Sequence, residues 1–209
     1  MARSLDHFIY AGRDLEEMRS GFERLTGVSA NLGGRHPWWG TRNALASLGE
    51  TIYFELLAPD QDQPVEDNMG GRIREFEVPR LLGYMVKAQD LEAVQDTLRR
   101  QQIDSDLFDA ERTTPDGRTL RWRLLLPKDN PYGDHVPKFI DWRDTTHPAS
   151  TSAGGCTFDF FRMGHPRADT LARLLSELDC DVRPERSDRP YLQVGIDSPR
   201  GPVVLTSHS

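Results

Sequence analysis

Residues 5–22 read LDHFIYAGRDLEEMRSGF, and residues 81–98 read LLGYMVKAQDLEAVQDTL. The two stretches align without a gap, and Asp14 falls on Asp90. In both, a run of apolar residues predicts a strand, and an aspartate that can cap a helix then precedes apolar residues at helical spacing. Each stretch therefore predicts a strand followed by a helix.

Further strand-like runs follow each copy of this pattern. After the first copy they lie near 31–36, at 42–48 and at 51–57, and after the second copy they include 117–127 and 138–142. These runs predict two βαβββ units in tandem. We place the first unit at residues 1–59, a connecting loop at 60–80 and the second unit at 81–143.

A third, shorter unit is predicted after a Thr/Ser/Gly-rich linker at residues 144–155. Residues 156–209 contain the strand-like run CTFDFF, a helical stripe of leucines and two further strand-like runs, YLQVGI and PVVLTS. This order is βαββ, a truncated copy of the same unit. Repeats that cannot bury their apolar faces alone pack on one another, so we expect one α+β assembly.

Composition narrows the class of partner. The chain has 209 residues, a formal net charge of −7 and a pI near 5.4, and its basic residues form no block. These values argue against a nucleic-acid or anionic-membrane partner. No apolar run approaches the roughly 20 residues of a membrane-spanning helix, and no signal-peptide pattern begins the chain. Cys156 and Cys180 are too few for a disulfide framework, so we expect a cytoplasmic protein.

Tandem βαβββ units with a histidine on the first strand and an acid on the last resemble the vicinal oxygen chelate superfamily. The segments LDHFIYAGRDLE, GGRHPWWGTRNALASL, YFELLAPD, RTLRWRLLLP and FIDWRDTTHP look more closely like its glyoxalase-like domain family. The resemblance implies curved mixed sheets around a cleft, with a divalent metal (Zn, Mn, Fe or Ni) at its base. It places the four ligand positions at His7, Glu55, Gly83 and Asp141, and glycine cannot serve as a side-chain ligand.

His7 and Glu55 are the catalytic and metal-binding candidates. Glu55 lies within the apolar run TIYFELL, where a buried carboxylate is costly unless it is paired or binds a cation. Without a metal, Glu55 would be a general base. The alternatives are a hydrogen-bonded core histidine at position 7, and for Glu55 an exposed acid or one paired with an arginine such as Arg42 or Arg123.

Asp141 is the third metal-ligand candidate, in the last strand of the second unit. It could equally be an acceptor that orients His7, or a cap before the linker.

The loop GGRHPWWGT, residues 33–41, predicts the rim of a substrate pocket. His36, Trp38 and Trp39 would supply polar and flat apolar walls, although a turn that only caps the core is the alternative. Asn43 and Trp122 are further candidate substrate contacts. His135 and His147 lie in proline-bearing loops that could close over the site, although we expect both to be exposed to solvent.

Two functions are the main alternatives from the sequence, and a third, a structural or partner-binding protein, would have no small-molecule cleft. The first is a divalent-metal-dependent lyase, isomerase or dioxygenase that acts on a small oxygenated organic molecule. The second is a metal-free protein that binds and sequesters a small molecule, as resistance proteins of the superfamily do. Because two full units lie in one chain, we expect a monomer or a homodimer.

Overall fold

The structure is a computed structural model, and it describes residues 3–64, 67–113, 117 and 119–207. The first unit consists of β1 (Leu5–Ala11), α1 (Leu15–Thr26), β2 (Asn31–His36), β3 (Thr41–Ser47) and β4 (Tyr53–Pro59). A short helix, α2 (Met69–Arg74), follows. The second unit consists of β5 (Arg80–Lys87), α3 (Leu91–Arg100), β6 (Ser105–Thr113), β7 (Thr119–Pro127) and β8 (Lys138–Asp141).

The third unit is slightly richer than its predicted βαββ order. It contains β9 (Thr157–His165), α4 (Ala168–Glu177), β10 (Glu185–Arg186), β11 (Tyr191–Ser198) and β12 (Gly201–Thr206). The two-residue strand β10 pairs with β9, so this unit is a shortened form of the same βαβββ order. The α+β fold of repeated units predicted from the sequence is confirmed.

The first helix shows how local sequence sets the elements. The Asp14 carboxylate accepts hydrogen bonds from the backbone of Glu16 and Glu17 at 2.8 and 2.9 Å, which satisfies the free N–H groups at the helix start. Gly27 ends the helix with a φ of 79°, a conformation that glycine adopts without strain.

Eight strands form one strongly curled mixed sheet in the order β2-β3-β4-β1-β5-β8-β7-β6. The first strands of the two units, β1 and β5, pair antiparallel at its centre, while β4 and β8 lie parallel to them on either side. The sheet curls so far that its two edge strands, β2 and β6, approach each other. Arg112 on β6 donates a hydrogen bond to the carbonyl of Gly33 on β2.

Apolar side chains cover both faces of the sheet. On the convex face, Phe8 and Tyr84 pack against Phe161 of the third unit, with ring centroids 5.0 and 4.7 Å from it. The four strands β10-β9-β11-β12 thereby share the core of the larger sheet. On the concave face a separate cluster, which includes Ile9 and Met85, surrounds the cavity described next.

Within the part of the chain that the structure describes, no helix has the length and apolar character needed to cross a membrane. Cys156 and Cys180 are both buried and free.

Candidate active site

A cavity of about 40 Å³ lies inside the concave face of the curled sheet. The residues that line it come from both units: His7, His36, Trp39, Asn43, Leu45, Tyr53, Glu55, Met85, Arg112, Trp122, Leu124, Ile140 and Trp142. Six of the residues predicted from the sequence are thus brought together here, namely His7, Glu55, His36, Trp39, Asn43 and Trp122.

His7 lies on the central strand β1 and is held by its neighbour in sequence. The register between β1 and β5 shifts between Leu5 and His7, and this bulge lets the Asp6 carboxylate meet the ring of His7. Nδ1 of His7 lies 2.6 Å from Oδ1 of Asp6, and the ring stacks on Tyr53 with centroids 4.3 Å apart. The imidazole therefore has a fixed orientation with Nε2 turned into the cavity.

Asp6 is completely buried and gathers three hydrogen-bonding partners. Besides His7, its second oxygen accepts from Nε1 of Trp142 and from Nε2 of His147, each at 3.0 Å. Burial is the largest single influence and favours the neutral acid, but the hydrogen bonds and charges of His147 and His7 together outweigh it and lower the pKa of Asp6. Asp6 is thus an ionised carboxylate that accepts the Nδ1 proton of His7, which leaves Nε2 as the ring atom that faces the cavity.

Glu55 lies on β4 beside His7, with 7% of its surface exposed. Its Oε2 is 3.7 Å from Nε2 of His7, and its Oε1 accepts a hydrogen bond from Nδ2 of Asn43 at 2.5 Å. Asn43 is fixed in turn, because its Oδ1 accepts from the backbone N–H of Gly34 at 2.9 Å. A chain of hydrogen bonds from β2 through β3 therefore sets the position of the carboxylate.

His36 closes one side of the cavity. Its Nδ1 lies 3.0 Å from the hydroxyl of Thr41, and its Nε2 lies 3.4 Å from Nδ2 of Asn43. Burial lowers the pKa of His36, with smaller opposing contributions from neighbouring charges that include Glu55. The imidazole of His36 is therefore uncharged at neutral pH and lines the cavity.

An outer cleft of about 420 Å³ adjoins the cavity and shares three of its walls, His36, Trp39 and Trp122. Trp39 meets Phe108 edge to face, with centroids 5.8 Å apart. Trp38 is 90% exposed and lines this outer cleft but not the inner cavity. The arrangement offers a small polar chamber behind a larger aromatic entrance.

Asp141 lies outside this group. On β8 its neighbour Ile140 lines the cavity, and alternation along the strand sends Asp141 to the opposite face. There its carboxylate accepts from the backbone N–H of Arg143 at 2.9 Å, and its cross-strand partner is Arg123. The structure therefore does not bring Asp141 together with His7 and Glu55.

A family model for a glyoxalase-like domain matches residues 5–178. The chain belongs to this family. The resemblance to the glyoxalase-like domain family is thereby confirmed. Among curated proteins, none matches this sequence significantly.

Two solved structures illustrate the likeness. A hypothetical protein from Staphylococcus aureus is 19% identical with a TM-score of 0.65, and the match covers 97% of this chain and 84% of that one. A variant of Streptomyces coelicolor methylmalonyl-CoA epimerase, in complex with 2-nitronate-propionyl-CoA, is 18% identical with a TM-score of 0.50 and is covered to 98%, against 69% of this chain. At these identities the likeness concerns the fold.

The second unit of this glyoxalase-like protein lacks the donor pair of the first. Gly83 aligns with His7, and Lys138 has the register position of Glu55, because Lys138 pairs with Met85 where Glu55 pairs with Ile9. A Cβ atom at Gly83 would lie 2.9 Å from Nζ of Lys138, so the lysine fills the space of the missing side chain.

The donor set therefore fits a resident divalent metal only in part. Among residues 3–64, 67–113, 117 and 119–207, no group of three or more His, Cys, Asp or Glu side chains converges on one point. Protein metal sites that are catalytic usually supply three ligands, and here His7 and Glu55 supply two.

Five polar or aromatic residues of the cavity and its support were not predicted from the sequence: Asp6, Tyr53, Arg112, Trp142 and His147. His147 had been expected in solvent but is bonded to Asp6. The expectation of exposure was wrong for His135, which is buried with Nε2 3.0 Å from the carbonyl of Gly164. The one available signal was the adjacency of Asp6 to His7, since a histidine that does chemistry commonly has a carboxylate partner.

Proposed function

We propose that this glyoxalase-like protein is an enzyme that moves a proton on a small oxygenated organic molecule, with Glu55 and His7 as the two groups that exchange it. The observation that carries the proposal is the 3.7 Å separation between Oε2 of Glu55 and Nε2 of His7 inside a buried cavity. Both groups are held from behind, His7 by Asp6 and Glu55 by Asn43, so neither must reorganise during the reaction.

The chemistry follows from the two facing atoms. Glu55 would accept a proton from a carbon next to a carbonyl group: the C–H bond breaks, its electron pair enters the enolate, and the proton becomes bound to the carboxylate oxygen. The cycle would start with Glu55 ionised and Nε2 of His7 protonated. Return of the Nε2 proton to that carbon would give the isomerised product and leave His7 neutral. Transfer of the proton from Glu55 to His7 across the 3.7 Å gap would then restore both groups.

Asp6 would assist both states of His7. Its ionised carboxylate keeps the hydrogen of the neutral ring on Nδ1 and stabilises the imidazolium when Nε2 takes a second proton. Tyr53, whose pKa burial raises well above its ordinary value, stays a neutral phenol beneath the ring. These contacts support His7 as a group that gains and loses a proton at Nε2.

A metal-dependent form of the same proposal would place Zn, Mn, Fe or Ni between His7 and Glu55. Two lone pairs that face each other in a buried cavity favour a cation between them, and imidazole and carboxylate are suitable ligands. A bound metal would act as a Lewis acid toward vicinal substrate oxygens. The remaining ligands would be water or substrate. The second unit has Gly83 and Lys138 at the positions that correspond to His7 and Glu55, and neither supplies a ligand.

The second candidate function is a metal-free binding protein that sequesters a small molecule. The aromatic walls of the outer cleft favour it, because Trp39, Trp122 and Phe108 provide flat apolar surface around a volume that a small ligand would fill. This candidate predicts ligand binding without turnover.

Deuterium exchange would distinguish the candidates. The protein is incubated in D₂O with a panel of small organic acids, hydroxyketones and acyl thioesters, and incorporation of deuterium next to the carbonyl is followed by mass spectrometry. We expect catalysed exchange for at least one compound, reduced about 10²- to 10⁴-fold by Glu55→Gln, the usual contribution of a general base. Glu50→Gln, the same change in an exposed turn of the same hairpin, is the matched control and should keep the wild-type rate.

Elemental analysis before and after reconstitution with each metal completes the test. Exchange by metal-free protein supports the acid–base form, whereas exchange that requires a metal lost in His7→Ala supports the metal-dependent form. Absence of catalysed exchange under both conditions contradicts the enzyme proposal.

A further inference from the structure

A second cleft, of about 520 Å³, opens at the seam where the edge strands β2 and β6 approach each other. Three arginines line it, Arg35, Arg42 and Arg112, together with Leu15, Leu32, Gly34, Pro37, Trp38, Asn43 and Glu111. We call it the arginine cleft. Glu111, the single carboxylate among the described lining residues, forms an ion pair with Nε of Arg121 at 3.1 Å. The cleft therefore has an excess of positive charge.

Of these three arginines, Arg42 is the one with a buried side-chain nitrogen that has no hydrogen-bond partner among the described residues. It lies directly across the β2–β3 pair from Arg35, and like charges in that position repel. Arg35 is compensated by Asp60 and Asp62, but no carboxylate of the described residues forms an ion pair with Arg42. Within the described chain, Nε of Arg42 is also the buried side-chain polar atom that lacks a hydrogen-bond partner. A buried charged donor without an acceptor is costly, so this group is suited to an acceptor from outside the chain.

Arg112 connects the arginine cleft with the inner cavity. Arg112 is 6% exposed, its Nη1 donates a hydrogen bond to the carbonyl of Gly33, and the residue borders both spaces. Asn43, which holds Glu55, borders both as well. Arg112 and Asn43 thus separate the arginine cleft from the cavity that contains Glu55. A hydrogen-bond acceptor bound between Arg42 and Arg112 would lie on the other side of these two residues from Glu55.

We infer that the arginine cleft binds an oxyanion of the substrate, a carboxylate or a phosphate, through Arg42 and Arg112. Guanidinium groups donate two parallel hydrogen bonds to planar or tetrahedral oxyanions, and these charge-assisted bonds are the strong ones. Anion binding in this cleft would define the substrate class of the proposed reaction, and it rests on the proposed function only for the proton transfer at Glu55. The substrate would be an acid whose anionic group anchors it while its carbonyl end enters the cavity.

Binding of two simple anions tests the inference without any reaction. Inorganic phosphate and acetate are titrated into the protein by isothermal calorimetry at constant ionic strength, with chloride as the balancing anion. We expect saturable binding of at least one, and the tighter anion identifies the substrate group. Arg42→Gln should weaken that binding about tenfold or more, while Arg173→Gln, the same change on the exposed face of α4, should not.

The stability of the free variant separates a binding role from a structural one. Because Nε of Arg42 has no partner in the described chain, Arg42→Gln should leave the thermal midpoint unchanged or raise it when no anion is present. Equal anion affinity in wild type and Arg42→Gln would overturn the inference, and so would failure of both anions to bind the wild type saturably. Glu55→Gln should keep the anion affinity, so loss of exchange with retained binding would count against the proposed reaction alone.

Discussion

Nε2 of His7 and Oε2 of Glu55 face each other across 3.7 Å, while Nδ1 of the same imidazole lies 2.6 Å from the buried carboxylate of Asp6. Asp6, His7 and Glu55, on the adjacent parallel strands β1 and β4, thus lie in a row. The imidazole is held by a hydrogen bond at Nδ1, and its Nε2 faces the cavity.

Asp6→Asn should lower both the stability and the activity of the protein. The change removes the charge that His7, His147 and Trp142 surround, and disruption of one member of a buried charged network costs about 3–5 kcal/mol. We expect this loss in the free energy of unfolding by urea. The exposed Asp159→Asn serves as control and should stay within about 0.5 kcal/mol of wild type. A similar small change for Asp6→Asn would contradict the network.

The same carboxylate predicts how stability depends on pH. The folded state lowers the pKa of Asp6 from its ordinary 3.8, so the folded protein binds fewer protons than the unfolded chain in this range. The stabilisation is fully present above the unfolded pKa and is lost as the pH falls below 3.8 toward the lower folded pKa. The difference in unfolding free energy between wild type and Asp6→Asn should therefore be constant from about pH 5 to 7 and shrink below about pH 4. A difference that grows on acidification would show that Asp6 is not ionised in the fold.

Gly33→Ala should disturb Glu55 through Asn43. A Cβ atom at position 33 would collide with Oδ1 of Asn43 and lie 3.2 Å from Cγ of Leu45. Overpacking of this kind costs about 1–3 kcal/mol and would displace the amide that fixes the carboxylate. Gly154→Ala is the control, because nothing lies within 4 Å of its new methyl group. We expect Gly33→Ala to slow exchange while Gly154→Ala leaves it unchanged, and equal rates would show that Asn43 does not position Glu55.

The sequence predicted the repeat, the helix caps and the strand faces because these depend on local periodicity and on capping chemistry. Glu55 was conspicuous as a carboxylate among apolar neighbours, whereas His7 became a candidate through the resemblance to the vicinal oxygen chelate superfamily. The contact between Asp6 and His7 was not predicted, for a physical reason. Strict alternation along β1 would turn the two side chains to opposite faces, and a bulge in the pairing with β5 changes the direction of Asp6.

Asp141 shows the opposite limit. The sequence predicted its strand, but the side chains of a strand change face with every residue. The loop before β8 has no pattern that specifies how β8 pairs with β5. Pairing with β5 assigns the position of Glu55 to Lys138, three residues earlier. Contacts such as those of Arg112 with Gly33 or His147 with Asp6 join residues far apart in the chain, and no local pattern specifies them.

Lys138→Glu should increase the affinity for divalent metal. His7 pairs with Met85, and Met85 pairs with Lys138, so the three lie in a row across the concave face with Met85 in the middle. The Lys138 ammonium lies 3.6 Å from Oδ1 of Asp134, which compensates part of its charge. On this face the lysine still opposes a second positive ion, and a glutamate there would add a carboxylate to the donors His7 and Glu55. We expect zinc to bind at least about tenfold more tightly in competition with a chromophoric chelator. Lys138→Met, which removes the charge without adding a donor, separates the two effects. Unchanged affinity in Lys138→Glu would show that this position, despite its register, does not face the pair formed by His7 and Glu55.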